Sequence, residues 1–116
     1  MGIQIFGKSK CFDTKKAERY FKERGIPFQS IDLPRYGMGK RELASVKAAV
    51  GGLEPLIDPK AKGDQALLLR YLASEEEKEQ KLLENPALFR TPIVRCGPKA
   101  TVGYCPEIWE TWPHLR

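Results

Sequence analysis

The sequence predicts an α/β domain built on a four-stranded mixed sheet with helices on both faces. Three observations carry this reading. A short apolar run, a turn, an amphipathic stretch and a second alternating stretch fill the first third of the chain, about the length a parallel βαβ unit takes. The middle is a series of short helical segments separated by Gly and Pro. The end is a Gly-Pro turn between two strand-like runs, followed by a helix opened by proline. With 116 residues, the chain is long enough for one core and too short for two ordinary ones. We therefore read it as a single domain, 1–116, with a helical insertion at about 34–89.

Ile3-Gln4-Ile5-Phe6 is the first strand, buried and mostly apolar. The turn Gly7-Lys8-Ser9-Lys10 leads to Cys11. A helix then spans 13–24, with Ala17, Tyr20 and Phe21 on one face at helical spacing. Gly25 stops it and Pro27 lies just beyond. Residues 28–33 alternate as a strand, and 34–39 read as a Pro- and Gly-rich loop. Residues 40–50 form a second helix with Leu43, Val46 and Val50 on its inner stripe, ended by Gly51-Gly52. Residues 53–63 are irregular. Asp64 caps a third helix through Leu72, with Leu67 and Leu68 facing inward. Ser74 and Glu77 form a capping box for a fourth, which Asn85-Pro86 closes. Residues 90–95 and 100–104 make an antiparallel hairpin around Gly97-Pro98. Cys105-Pro106-Glu107 opens the last helix, with Ile108, Trp109 and Trp112 on its buried face.

Composition narrows the functional classes. Hydrophobic residues are 41% and charged residues 30% of the chain, an ordinary balance for a globular domain. No apolar run approaches the ~18 residues of a membrane span. A strand-like run begins within two residues of the start, which leaves no room for a secretory signal, so the cytoplasm is the expected location. The net charge is +5, but the lysines are dispersed and Glu75, Glu76 and Glu77 interrupt the positive field. That pattern is a solvated basic surface, and no direct nucleic-acid binding is expected. Three cysteines, an odd number, argue against a disulfide framework. The lone His114 and the absence of C-x-x-C leave no ligand set for a metal.

Chemistry therefore centres on Cys11, at the corner where the first strand becomes a helix. Unpaired N–H groups and the positive end of the helix dipole favour a thiolate there. Lys8, Lys10, Lys15 and Lys16 add positive charge and Asp13 opposes it. A hydrophobic packing role is the competing reading. Thr14, three residues on, is placed either to donate a hydrogen bond to the thiolate or to cap the helix. Cys96, in a turn, reads as an incidental exposed thiol.

The order β-α-β, helices, β-β-α is that of the thioredoxin fold with a helical insertion. With Cys11 after the first strand, Thr91-Pro92 before the third and Val102-Gly103-Tyr104 leading to the last helix, the chain resembles the arsenate-reductase-like branch of the thioredoxin superfamily. That branch includes glutaredoxin-dependent arsenate reductases and Spx-type transcriptional regulators. The resemblance implies a cis Thr91–Pro92 bond beside Cys11, with the Thr91 backbone available to an extended partner chain. It also turns Cys105 toward the active site, as a resolving cysteine or reversible disulfide partner for Cys11. Lys8, Lys10, Lys15, Thr91, Pro92 and Arg95 complete the expected binding set.

The departures from the pattern are informative. Arsenate reductases of this type hold the oxyanion with arginines. Thr91 and Cys105 stand where two of them belong, and 56–60 contains none. Spx-type regulators carry C-x-x-C, and Thr14 replaces its second cysteine. The expectation is thus a thiol–disulfide oxidoreductase or glutathione- or glutaredoxin-linked reductase. It has no bound cofactor and uses glutathione or another thiol as reductant. Its partners would be glutathione, glutaredoxin or a protein disulfide. The alternative is a Spx-like regulator that binds RNA polymerase without catalysis. Arsenate reduction is disfavoured by the missing arginines.

Overall fold

The computed structural model describes residues 2–112. In chain order the elements are β1 (Ile3–Gly7), α1 (Phe12–Glu23), β2 (Phe28–Asp32), α2 (Leu33–Tyr36), α3 (Lys40–Val50), α4 (Asp64–Tyr71), α5 (Glu75–Glu84), β3 (Ile93–Cys96), β4 (Lys99–Val102) and α6 (Pro106–Trp109). Single 3-10 turns at Glu54–Leu56 and Pro86–Leu88 flank the α4–α5 pair. The sheet order is β2-β1-β3-β4. β1 runs parallel to β2, Ile3 opposite Phe28 and Gly7 opposite Asp32. β3 is antiparallel to both β1 and β4, with Phe6 opposite Ile93 and Ile93 opposite Val102. This is the mixed α/β sheet that the sequence predicts.

Strand alternation divides the core in two. Ile3, Ile5, Val94 and Cys96 face α1 and α6 and pack with Ala17, Tyr20, Phe21, Trp109 and Trp112. Phe6 and Ile93 face the other way, against Leu33, Leu43, Val46, Leu56, Leu82 and Phe89 from α2, α3 and the rest of the insertion. The first cluster is aromatic: the Trp109 ring lies 5.0 Å from both Tyr20 and Phe21. Its indole N–H donates to the Thr101 hydroxyl at 2.8 Å, so the buried polar atom is satisfied.

Five local expectations are corrected. Leu33–Tyr36 forms one helical turn where a loop is expected; Pro34 fits its start because proline has no N–H to lose there. In α4, Ala66 and Leu69 are buried, whereas Leu67 and Leu68 are about half exposed. An unbroken Ala-Leu-Leu-Leu run carries no phase, so composition alone cannot say which leucine faces the core. Asp64 is the first residue of α4 and Gly63 is its N-cap. Ile108 is 43% exposed, because α6 is a single turn whose inward positions are taken by Trp109 and, just beyond it, Trp112. Cys96 is fully buried as the last residue of β3, facing the aromatic cluster. Ser74 is the N-cap of α5 as expected, and its hydroxyl supplies one half of the capping box, accepting from Glu77 N–H at 3.4 Å. His114 lies outside the described residues.

Candidate functional site

The turn after β1 delivers Cys11. Its N–H donates to the Lys8 carbonyl at 3.1 Å, and its own carbonyl accepts from Lys15 N–H at 3.3 Å, the first bond of α1. Cys11 is therefore the N-cap, with φ −89° and ψ 119°. Its side chain caps nothing, and as a thiol Sγ donates to the Thr91 carbonyl at 3.6 Å.

Thr14 is buried one turn into α1. Its Oγ1 accepts from Lys8 N–H at 3.4 Å. A hydroxyl has one proton to give, and because Lys8 N–H is the donor in that bond and Oγ1 only accepts, the proton is free for Cys11. Gly7 lets Thr14 come this close. A Cβ at residue 7 would lie 2.2 Å from Thr14 Cγ2 and 2.8 Å from Oγ1.

Burial pushes the Cys11 thiol up. Hydrogen bonds from the Thr14 and Thr91 side chains and from the Thr14 and Asp13 backbone outweigh it, and the thiol ends below its ordinary value. The lysines are not the cause. Lys8 is occupied elsewhere: its ammonium donates to the Ala87 carbonyl at 2.8 Å and lies 3.7 Å from Asp58 Oδ2. Lys10 and Lys15 are exposed. Lys15 lines a cleft of about 340 Å³ with Ser9, Ser30 and Tyr36, at the ends of β1 and β2.

The Thr91–Pro92 peptide bond is cis. Leu56 and Asp58 hold the preceding segment, with Arg90 N–H on the Leu56 carbonyl at 2.8 Å and Asp58 N–H on the Leu88 carbonyl at 2.9 Å. On the other side, Gly103 N–H donates to the Pro92 carbonyl at 2.8 Å. Thr91 is thereby fixed between the insertion and β4, with its carbonyl against Cys11.

Cys105 is the N-cap of α6, and its Sγ donates to the Val102 carbonyl at 3.3 Å. Its thiol moves opposite to Cys11. Burial raises it first, then the Glu107 carboxylate, against a lowering by Arg90. Cys105 therefore stays protonated more readily than a free thiol. The helix start does not favour a thiolate here as it does at Cys11, because α6 is one turn long and carries Glu107 in that turn. Cys96 is raised by burial as well.

Arg95 is not brought to Cys11. It pairs with Gln4 near the start of β1, at the far end of the strand from Gly7. There its Nη1 donates to Gln4 Oε1 at 2.8 Å and lies 3.8 Å from Glu42 on α3. Arg90 lies just before β3, where strand alternation does not fix the direction of its side chain. Its Nη2 reaches to 3.7 Å from where a Gly103 Cβ would be, beside the start of α6. Among the described residues, no three His, Cys, Asp or Glu side chains converge as a metal site. Among the described residues, no helix is long and apolar enough to cross a membrane.

A sequence profile of the ArsC family matches residues 6–112, which includes Cys11, the cis-proline and the start of α6. The chain belongs to the ArsC family. It is 31% identical over 109 residues to the global transcriptional regulator Spx 2 of Oceanobacillus iheyensis, across 90% of this chain and 78% of that one. Two solved structures share the family's fold. An arsenate reductase from Vibrio cholerae superposes with a TM-score of 0.81 at 23% identity, over 93% of this chain and 94% of its own. An arsenate reductase related protein from Brucella melitensis gives 0.65 at 21% identity, over 99% and 97%.

Proposed function

We propose that this protein carries out thiol–disulfide exchange with Cys11 as its nucleophile. The observation that supports this best is the contrast among its cysteines. Cys11 alone is lowered, and it is partly accessible at a helix start, whereas Cys96 and Cys105 are raised. The Cys11 thiolate attacks one sulfur of a disulfide, forms a mixed disulfide and expels the other sulfur as a thiolate. A second thiol then attacks the mixed disulfide at Cys11 Sγ and releases the substrate thiol. A glutathione-type reductant suits this second step, because Cys105 is held protonated against Val102. A further glutathione then reduces the Cys11–glutathione disulfide, so two glutathiones become one oxidised glutathione per disulfide reduced.

Thr14 stabilises the attacking and leaving form of Cys11. The Thr91 carbonyl and its cis neighbour offer an edge to an extended partner. Thr91 and Cys105 bring no cation to the two positions where the resemblance puts oxyanion-binding arginines, and Arg90 reaches only the start of α6, short of the convergent donors an oxyanion requires, so arsenate is a poor substrate in this reading.

The test is intact-mass analysis after mild oxidation in the presence of glutathione, with disulfide reductase activity measured alongside. One glutathione adduct on the wild type and none on Cys11→Ser supports the proposal. An equal adduct on both proteins, with unchanged activity, refutes it.

A second reading is regulatory: docking on RNA polymerase, similar to a Spx-type protein. The identity to the Oceanobacillus iheyensis regulator favours it. Retention of the protein on immobilised polymerase, equal for wild type and Cys11→Ser, would support docking without catalysis; absence of retention would exclude it.

A further inference from the structure

A cavity of about 460 Å³ opens between the outer face of α1 and the start of α6. Lys16, Arg19 and Arg24 line it with a single carboxylate, Glu23. The cations interleave with aromatic rings. Lys16 Nζ sits 5.7 Å from the centre of the Tyr104 ring, and the Arg24 guanidinium stacks 3.7 Å from that of Tyr20. One helical turn before Lys16, Phe12 is 79% exposed, far more than its neighbours in the core require. None of these side chains contributes to the Cys11 hydrogen bonds.

We infer that this groove binds an acidic polypeptide segment in which carboxylates alternate with apolar side chains. The cations are arranged for separated carboxylates. Arg24 is pinned on Tyr20 and its Nη1 also donates to the Tyr20 carbonyl at 3.3 Å, so its charge is pre-oriented. Lys16 and Arg19 are exposed and free to close on a ligand. The exposed faces of Phe12 and Tyr104 give the apolar side chains of the segment somewhere to lie. A nucleic-acid strand fits less well. Glu23 lies in the groove, the Glu110 charge is felt at Tyr20 and that of Glu107 at Cys105, so a continuous phosphate chain would meet carboxylates along its path. The proposal stands apart from the redox reading, since no atom of Cys11 takes part.

The experiment is fluorescence anisotropy with a labelled peptide of alternating glutamate and leucine, titrated with the full chain at low salt. A lysine–leucine peptide and a single-stranded oligodeoxynucleotide serve as competitors. Wild type and Cys11→Ser should bind the acidic peptide equally, and added salt should weaken binding. Lys16→Glu/Arg19→Glu should weaken it by about tenfold or more, since each reversal turns an attraction into a repulsion. Lys16→Gln/Arg19→Gln should fall between, and both double variants should melt as the wild type does because the altered side chains are exposed. Absence of peptide binding, equal binding by the charge-reversed variant, or stronger competition by the oligonucleotide than by unlabelled acidic peptide would each overturn the inference.

Discussion

Gly7→Ala is the sharpest test of how the site is built. The added methyl would sit 2.2 Å from Thr14 Cγ2. That is about 1.3 Å short of an ordinary carbon–carbon contact of roughly 3.5 Å. β1 is held on both sides by its neighbours, so the first turn of α1 has to yield. Overpacking of this kind costs roughly 1–3 kcal/mol. Thr14 would also leave Cys11, and a hydrogen bond to a charged group contributes roughly 1.5–3 kcal/mol. The thiolate population at neutral pH should therefore fall by roughly ten- to a hundredfold. A more basic thiolate is also more nucleophilic, and this recovers about half of the logarithm. The net expectation is roughly three- to tenfold slower alkylation of Cys11 by iodoacetamide, followed by peptide mass spectrometry. Denaturant unfolding reports the stability term. Gly7→Ala/Thr14→Ser removes the methyl responsible for the 2.2 Å contact while keeping the hydroxyl, and it should recover part of both losses. A Gly7→Ala protein with wild-type stability and alkylation rate would refute the reasoning. So would a double variant no better than the single one.

Three further outcomes are expected. Cys11 is lowered in the folded state, so its ionisation stabilises the fold above the unfolded thiol pKa, and that contribution is lost as pH falls through the folded value. The stability difference between wild type and Cys11→Ser should therefore shift in favour of the wild type as pH rises through that window; a flat difference would contradict it, since the other cysteines cancel. Arg95→Gln should leave Cys11 alkylation unchanged while costing about 1 kcal/mol of stability, as its bonds to Gln4 and Glu42 are at the other end of the sheet. Leu69→Ala should cost roughly 2–5 kcal/mol, but Leu68→Ala only about 0.5 kcal/mol, in urea unfolding; equal costs would mean that α4 is rotated.

Much of the architecture was readable because its signals are local and redundant. Ala17, Tyr20 and Phe21 repeat at helical spacing and all are buried. Gly25, with φ +67°, sits where a stop was expected. Gly97 and Pro98 lie between the two strands of the hairpin. Where a signal lacked phase or length, the reading failed. The run around Leu67 and Leu68 has no polar residue to mark its outer face. α2 is a single turn, shorter than the period used to detect it, and α6 is found where expected but is too short to fix the face that Ile108 takes. At the site, Cys11 and Thr14 share a helix turn, so spacing alone brings them together. Thr91 enters from 80 residues away, and only the resemblance to the superfamily placed it beside Cys11. Arg95 and Cys96 were misjudged for a related reason. Sequence shows that β3 is a strand but not which of its ends lies near Cys11, nor that its last residue points inward.

The Lys8 ammonium spans from the loop that presents the reactive sulfur to the carbonyl of Ala87 and the carboxylate of Asp58. Those two anchors bracket α4 and α5 in the chain, so the whole excursion between them is leashed to the residue three positions before Cys11. Any partner that lifts or tilts this excursion pulls on the same leash. The insertion is thus tied, through one lysine, to the loop that carries the reactive sulfur.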